Sequence, residues 1–306
     1  MRHTDVTQKK LHGGRLVMII NHNISALNTH RQLGANTNAV AKNLEKLSSG
    51  LKINRAGDDA AGLAISEKMR AQVRGLEMAT KNAQDGISLI QTAEGALQET
   101  HAILQRAREL AVQSANDTNI TENDRQAMQE ELNALLEEID SIADRTEFNT
   151  QKLIDGSFED KKFHIGANSE QNIEIEIDAM HTTALGIDGL KVDDLEHADA
   201  SGSGTVTGGI LTQDAADTAI STFDDAINKV STQRAKLGAI QNRLEHTINN
   251  LGASAENLTA AESRIRDTDM AKEMMEFTKN NILTQSAQAM LAQANQVPQG
   301  VLQLLR

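Results

Sequence analysis

The chain contains no cysteine, no tryptophan, no tyrosine and a single proline among its 306 residues. Without cysteine it has neither a disulfide framework nor a thiolate metal site, which suits a protein that must cross a barrier unfolded. Phenylalanine is its only aromatic residue, which disfavours a compact core built on large rings. Its apolar residues are mainly Ala, Leu, Ile, Val and Met, and with so little proline the chain is free to form long helices that pack on one another.

Positively charged residues are also fewer than negatively charged ones. The chain has 30 Lys and Arg residues and 43 Asp and Glu residues, which gives a formal net charge of −13. A chain this acidic repels a phosphate backbone, so we expect no nucleic acid among its partners. No apolar run is long enough to span a membrane, and the run at 16–20 is too short for a signal-peptide core. We therefore expect no membrane insertion, and an exit from the cell other than the general secretory route.

Both ends of the chain carry apolar residues at the alternating three- and four-residue spacing that one helix offers to another. The first stripe consists of Leu33, Thr37, Val40, Leu44, Leu47 and Leu51. The second consists of Leu283, Ala287, Met290, Ala294, Val297, Val301 and Leu304. An isolated pair of such helices is marginal in water, so we expect the ends to become ordered when copies assemble, with an intramolecular core as the alternative. Pro298 is expected to bend the second helix.

Between the ends, a heptad pattern predicts a long bundle helix. Apolar residues recur every seven positions, at Leu76, Ala83, Ile90, Leu97, Leu104 and Ala111. The companion positions Glu94, His101 and Arg108 are polar, so only half of the seam is apolar. The pattern breaks at 118–121, where Thr121 and Asp124 have the spacing of a helix cap. Helical spacing continues through about 142 and returns over 220–265.

In the middle of the chain the period changes from helical to two. Ile173, Ile175 and Ile177 alternate with acidic residues, which predicts a half-buried strand. Phe163 and Ile165 offer a partner strand, with the turn between them at 166–172. Residues 181–212 lose all period and are rich in Gly, Ser, Thr and Asp, so we interpret them as an exposed loop.

The first 17 residues are polar, basic and without period, and Met18 opens the patterned sequence. The codons for Gly13, Gly14 and Arg15 are compatible with a ribosome-binding site. We therefore hypothesise that 1–17 are a leader or a mis-called start. A genuine flexible tail is the alternative.

No arrangement of residues predicts catalysis. The glycines around Gly57 and Gly62 are not a phosphate loop, because the segment lacks lysine and carries Asp58 and Asp59, either of which is suited to cap a helix. No two histidines stand four residues apart as a helical metal pair does. The carboxylates Glu137, Glu138 and Asp140 are interpreted as a solvated helix face. We expect no enzyme activity, no cofactor and no metal.

Four segments, 18–29, 47–69, 257–273 and 288–306, resemble the bacterial flagellin family. The most specific is the internal run Leu47-Ser-Ser-Gly-Leu-Lys-Ile-Asn-Arg-Ala-Gly-Asp-Asp-Ala-Ala-Gly-Leu-Ala-Ile-Ser-Glu-Lys-Met69. The resemblance covers 18–180 and 215–306 and is to the short, Bacillus-like type of Gram-positive bacteria that lacks large outer domains. Residues 1–17 have no counterpart in the family, and 181–212 leave room only for a short loop.

The resemblance implies a mainly α fold, a hairpin-like rod of long coiled-coil or bundle helices with a small β-hairpin region in the middle of the chain. Terminal inner-core helices are expected at 18–59 and 267–306, and an outer-core bundle at 60–150 and 213–266. A small β region and an exposed variable loop are expected at 151–212. The implied function is the structural subunit that polymerises into the flagellar filament for swimming, with the hook–filament junction protein as the alternative.

The resemblance also implies partners. Besides copies of itself, these are an export chaperone at the C-terminal helix, the flagellar type III export apparatus, the filament cap and the hook-junction proteins. The implied location is extracellular, in the flagellum, without a cleavable signal peptide. A host Toll-like receptor that senses flagellin is the remaining implied partner.

Particular residues are implied in these contacts. Arg106 and Leu110, as neighbours one helical turn apart, are expected to form one surface patch for the receptor, with Glu130 on the next helix. Arg55, Asp58 and Asp59 are candidates for fixing the junction of inner and outer cores, or for contacts between subunits. The residues expected to bury themselves among neighbouring subunits are Leu44, Leu47, Leu51, Met290, Val297, Val301 and Leu304.

Overall fold

The computed structural model describes residues 23–118, 121–192 and 209–304, without the side chains of Glu122 and of 297–304. This part of the chain is mainly α with a small β region in the middle, as predicted. Its helices are α1 Ile24–Ser49, α2 Ala60–Ser114, α3 Glu122–Arg145, α4 Thr182–Leu185, α5 Gln213–Arg266 and α6 Met270–Leu304. Its strands are β1 Glu147–Phe148, β2 Gln151–Lys152, β3 Lys161–His164 and β4 Asn172–Ile175. Residues 1–17 and Met18 lie outside the described part.

The chain divides into two compact units. The terminal unit comprises 1–66 and 262–306 and contains α1 and α6. The central unit comprises 67–261 and contains α3, α4 and the strands, together with most of α2 and α5. Each unit is built from helices contributed by both halves of the sequence.

The core of the central unit follows the predicted heptad. Ala83, Ile90, Leu97, Leu104 and Ala111 are fully buried. Two of the three polar companion positions form ion pairs with α5. Arg108 Nε lies 2.6 Å from Asp224 Oδ1, and Glu94 Oε1 lies 3.6 Å from Arg234 Nη2. One seam of α2 is therefore apolar and the other is edged by ion pairs.

The start of α3 is fixed by the predicted pair of residues. The Thr121 hydroxyl accepts from the Asp124 backbone N–H, and the Asp124 carboxylate accepts from the Thr121 backbone N–H at 2.9 Å. These reciprocal bonds form a capping box, which satisfies donors that a helix start leaves free. The hydrogen bonds from Thr121 also lower the pKa of Asp124.

The predicted hairpin is present. β3 and β4 pair antiparallel with Phe163 opposite Ile173, and Ile173 and Ile175 point into the core. Phe163 lies against α2 at Gly86, where an added Cβ would stand 3.1 Å from the ring. A second hairpin, β1–β2, was not predicted, because strands of two residues are too short to show a period.

The interpretation of 181–192 as exposed loop is wrong. This segment forms α4 and a 3-10 turn, Asp188–Leu190, and it buries Leu185 and Ile187 in the central core. Asp140, interpreted as part of a solvated face, accepts from the Thr182 backbone N–H at 2.8 Å and from its hydroxyl at 2.9 Å. The sequence shows no period here because elements of three or four residues are shorter than one amphipathic repeat. Residues 193–208 lie outside the described part.

Two side chains of α3 hold both ends of that segment. The Gln129 side chain accepts from the Ile210 N–H at 2.7 Å and donates to the Leu190 carbonyl at 2.9 Å. Asn133 bonds both backbone groups of Val192, at 2.7 and 3.2 Å. We call Gln129 and Asn133 the α3 clamp. Because one amide bonds to both Leu190 and Ile210, these two residues lie close together against α3.

In the terminal unit, α1 and α6 pack antiparallel along a seam with alternating three- and four-residue spacing. On α1 the partly or fully buried residues at this spacing are Ala26, Thr29, Leu33, Asn36, Val40, Asn43 and Leu47. On α6 they are Glu273, Phe277, Asn280, Thr284, Ala287, Leu291 and Ala294. The seam is thus a coiled-coil interface in which small and polar residues outnumber large apolar ones.

The predicted stripes are only partly right about this seam. Leu33, Val40 and Leu47 belong to it, as do Ala287 and Ala294. Leu44 and Met290 do not, because their side chains are 56% and 55% exposed. The stripes were placed mainly by apolar residues, so they missed the polar seam positions, among them Asn43 and Asn280. Pro298 and the side chains of Val297, Val301 and Leu304 lie outside the described part.

The register of α1 against α6 is fixed by buried polar contacts. In the amide orientation that satisfies its neighbours, Asn43 donates to Glu273 Oε1 and accepts from Asn280 Nδ2, both at 3.1 Å. Toward one end of the pair the Thr268 N–H donates to the Gly50 carbonyl at 3.0 Å. Toward the other, Asn23 Nδ2 donates to the Ala294 carbonyl at 2.7 Å. A shift along the seam would break these bonds and leave buried polar groups unpaired.

Replacing Gly209 by alanine is expected to destabilise the central unit. Gly209 has a φ of +73°, and an added Cβ would lie 2.2 Å from the Gln129 side-chain oxygen. The left-handed conformation costs a residue with a Cβ about 1–2 kcal/mol, and displacing Gln129 weakens hydrogen bonds worth about 1 kcal/mol each. Urea unfolding followed by circular dichroism measures the loss. In the matched variant Gly238→Ala, inside α5, the added Cβ meets nothing within 4 Å, so we expect about 0.5–1 kcal/mol of stabilisation.

Replacing Asn43 by leucine is expected to loosen the pair of α1 and α6 more than replacing Asn280. Asn43→Leu removes the bonds to both Glu273 and Asn280, whereas Asn280→Leu leaves Asn43 bonded to Glu273. An unsatisfied buried polar group costs about 1–3 kcal/mol. Hydrogen–deuterium exchange of peptides from both helices measures the opening.

The double variant Asn43→Leu/Asn280→Leu tests whether the two residues act as a pair. We expect it to exchange more slowly than the sum of the two single effects predicts, because two apolar groups then face each other. Strict additivity of the single effects would show that Asn43 and Asn280 contribute independently.

Candidate interaction surfaces

The large apolar residues that remain exposed are concentrated on the terminal helices. On α1 they are Ile24, Leu27 and Leu44. On α6 they are Met270, Met274, Met275, Ile282, Leu283 and Met290. We call these nine residues the outward apolar face. Large apolar residues that stay exposed and are concentrated in one unit are candidates for binding another molecule.

The geometry of α6 explains why this surface cannot be buried by α1. Met275 and Ile282 are seven residues apart, on the side of α6 opposite to the seam position of Asn280. The seam side carries Phe277 and Leu291 besides its small and polar residues. The apolar residues of α6 therefore occur on several sides of the helix, and α1 covers only one of them. A helix whose packing is complete within one chain confines its apolar residues to one stripe.

The three junction residues predicted from the sequence hold the turn between α1 and α2. Asp59 is the cap of α2, because its Oδ1 accepts from the Gly62 N–H at 2.9 Å. Asp58 Oδ2 accepts from the backbone N–H of Arg55 at 3.1 Å, and the hydrogen bonds from Arg55 and Asn54 lower its pKa. Arg55 Nε lies 2.8 Å from Glu45 Oε1. The carboxylates thus order the backbone, while the largely exposed Arg55 remains accessible.

The structure separates the residues predicted to form a receptor patch. Arg106 Nη2 lies 2.8 Å from Glu131 Oε1, and its Nη1 lies 3.3 Å from Glu109 Oε2. The hydrogen bond from Arg106 to Glu131 is the main reason why the Arg106 pKa is raised. Glu130, the residue predicted from the sequence, is exposed beside this pair.

The prediction that Arg106 and Leu110 share a surface patch is wrong. Leu110 is 1% exposed and belongs to the central core. Residues four apart on an α-helix differ by about 40° around its axis, which here carries Leu110 from the surface to the buried face of α2. The surface cluster consists instead of Arg106, Glu109 and Glu131, and only the structure shows which of the two adjacent acids on α3 faces Arg106.

Within the described ranges, no group of three or more His, Cys, Asp and Glu side chains is arranged to hold a metal ion. None of the helices in those ranges combines the length and apolar character needed to span a bilayer.

Two family models match the chain. The bacterial flagellin N-terminal helical region matches residues 20–159, and the bacterial flagellin C-terminal helical region matches residues 220–305. The matched ranges contain α1 to α3 and nearly all of α5 and α6. The helices that pair across the terminal unit thus come from both family regions.

Individual relatives agree with this match. Flagellin of Bacillus subtilis strain 168 is 61% identical, covering 94% of this chain and 100% of that protein. The flagellar filament 33 kDa core protein of Treponema phagedenis is 51% identical with the same coverage of both chains. Among solved structures, Bacillus cereus flagellin is 30% identical, covers 60% of this chain and 94% of that chain, and has a TM-score of 0.45. The names of these relatives support a filament subunit over a hook–filament junction protein. The chain belongs to the flagellin family, the structural subunits of the bacterial flagellar filament.

Proposed function

We propose that copies of this flagellin polymerise through the outward apolar face of α1 and α6. The observation that carries the proposal is the exposure of six large apolar residues on α6 and three on α1, which the pairing of the two helices leaves in water. Burying a side chain such as Ile282 stabilises a complex by about 1.5–3 kcal/mol, and the same surface is repeated on every copy. A polymer of identical subunits accounts for a face that one chain alone leaves in water.

The terminal helices gain most of their stability in the polymer under this proposal. Their mutual seam supplies little apolar burial, because Thr29, Asn36 and Thr284 occupy positions where coiled coils place large apolar residues. Leu44 and Met290 of the predicted assembly stripe lie on the outward apolar face, and Leu47 and Leu51 are half-buried. Val297, Val301 and Leu304 extend the same assignment toward the end of α6.

Arg55 is assigned to contacts between subunits, with Asp58 and Asp59 as the residues that present it. Both carboxylates are already engaged by backbone N–H groups of the turn. The Arg55 side chain is 76% exposed and bonded only at its edge to Glu45. Guanidinium groups bind carboxylates in a planar, two-pronged geometry, so an acidic side chain of a neighbouring copy is the expected partner.

The outward apolar face also requires protection before assembly. An export chaperone that covers 267–306 in the cytoplasm would shield six of its nine residues from premature association. The absence of cysteine and the single proline suit passage of an unfolded chain through the flagellar type III export apparatus. The exported subunit then joins the filament outside the cell, between the hook-junction proteins and the cap. This is a structural role without catalysis.

The cluster of Arg106, Glu109 and Glu131 is assigned to a host Toll-like receptor that senses flagellin. The Arg106 guanidinium is half exposed and its orientation is fixed by two carboxylates, Glu109 on its own helix and Glu131 on α3. A preorganised charged side chain binds with a smaller entropy cost than a free one. Glu130 lies beside the cluster, whereas Leu110 supports it from inside the core.

Replacing Ile282 by glutamine is expected to raise the critical concentration for polymerisation about tenfold or more. The loss of at least about 1.5 kcal/mol of burial corresponds to that factor. Seeded polymerisation followed by light scattering and electron microscopy measures it, and Leu44→Gln and Met290→Gln are expected to act in the same direction. The comparison variant is Met78→Gln, which removes an exposed methionine from α2 of the central unit and is expected to polymerise more nearly like the wild type. Wild-type polymerisation of all three terminal variants would contradict the proposed surface.

Replacing Arg106 by alanine is expected to lower the response of a receptor reporter cell line while leaving the fold intact. Leu110→Ala is expected to lower the response by a different route, because emptying this core position costs about 2–5 kcal/mol of stability. Thermal unfolding of both variants separates the two routes. An unchanged response to Arg106→Ala at matched protein concentration would remove the receptor assignment.

A further inference from the structure

Methionine is unevenly distributed over this protein. Met270, Met274, Met275 and Met290 lie on the outward apolar face and are 47–67% exposed. In the central unit, Met128 and Met180 are buried. Four exposed thioethers therefore lie on α6, one of the two helices to which assembly is assigned.

Methionine is also the principal oxidisable side chain of this sequence. The chain has no cysteine, no tryptophan and no tyrosine to compete for a two-electron oxidant. Where thioethers are the reactive groups, solvent exposure decides which of them react first. The methionines of α6 are thus the expected first targets, together with Met78 on α2, which is 58% exposed.

We propose that Met270, Met274, Met275 and Met290 form a redox-modification site that controls self-assembly, with hydroperoxides as the oxidant class. The thioether sulfur donates an electron pair to one peroxide oxygen, the O–O bond breaks, and an S–O bond forms. With hydrogen peroxide, the second oxygen leaves as water after proton transfer. Sulfur is oxidised by two electrons, and the peroxide is reduced by two.

The sulfoxide changes the property on which assembly depends. It converts a flexible apolar side chain into a polar, hydrogen-bonding one. On a face that is buried between copies, each sulfoxide must then be desolvated without a designed partner. This inference rests on the proposed assembly surface, and it adds that the surface is switched off chemically and restored by methionine sulfoxide reductases.

The experiment uses wild-type flagellin and needs no variant for its first arm. Monomer is treated with hydrogen peroxide until about half of the exposed thioethers are oxidised, then seeded with filament fragments. Polymer and remaining monomer are separated by centrifugation, and the sulfoxide at each methionine is measured by peptide mass spectrometry. Sulfoxide at the four α6 positions is expected to be enriched several-fold in the unassembled fraction, and sulfoxide at Met78 to be distributed more evenly.

The second arm replaces the four α6 methionines by leucine, a substitution of similar volume and helix propensity. The critical concentration of this variant is expected to be the same before and after peroxide treatment, whatever its starting value, whereas that of wild-type protein is expected to rise about tenfold or more on treatment. Incubating treated wild-type protein with methionine sulfoxide reductases and a dithiol is expected to restore assembly, because the dithiol supplies two electrons for each sulfoxide and the oxygen leaves as water. Filaments treated after assembly are expected to retain these four thioethers.

Even partition of the α6 sulfoxides between polymer and monomer would overturn the proposal, whatever the leucine variant does. If Ile282→Gln impairs assembly while oxidised protein polymerises normally, the proposed assembly surface is supported and the redox-modification site is refuted. If Ile282→Gln, Leu44→Gln and Met290→Gln all polymerise like the wild type, the surface itself fails.

Discussion

The constraint on which the rest of the structure depends is that α1 covers only one side of α6, a helix that carries large apolar residues on several sides. Its seam side lies against α1 with Asn43, Asn280 and Glu273 in contact. Its other sides expose large apolar residues, which the proposed assembly would bury. Register is therefore specified within the chain, and under this proposal further stability comes from the assembly. Buried polar contacts lower the stability of a helix pair but restrict it to one alignment. A single alignment suits a subunit whose copies must all have the same structure in a polymer.

The central unit obeys the opposite rule. Its helices bury continuous apolar seams, its caps are satisfied locally, and its charged edge positions pair with one another across α2 and α5. A unit of this kind has the properties of an independently folded domain. The protein thus joins a region whose contacts are satisfied internally to one whose contacts are completed by neighbours, and the turn held by Asp58 and Asp59 lies beside the change from one to the other.

Sequence reasoning succeeded where a period was long. The heptad through Ile90 and Leu97, the capping box at Thr121 and the alternation at Ile173 and Ile175 each repeat a physical signal several times or satisfy it reciprocally. Sequence reasoning failed where a small rotation around a helix axis decides whether a side chain is buried or exposed. Leu44 lies outside the seam to which its stripe assigned it, because apolar size alone does not reveal the phase of a seam built from Ala, Thr and Asn. Leu110, expected at the surface one helical turn from Arg106, lies in the central core. Which of the two acids, Glu130 or Glu131, meets Arg106 depends on how α2 and α3 pack, and no local pattern records that.

The α3 clamp has a consequence for how such a subunit can diversify. Gln129 and Asn133 hold Val192 and Gly209 close together. The two ends of the segment that joins these residues are therefore already fixed by the central unit. The entropy of closing a flexible loop grows only logarithmically, by about 0.6 kcal/mol for each doubling of its length. Longer or shorter connections at this point are therefore nearly equivalent energetically. The clamp therefore makes the connection between Val192 and Gly209 a place where residues can be inserted or deleted without changing the helices that build the polymer.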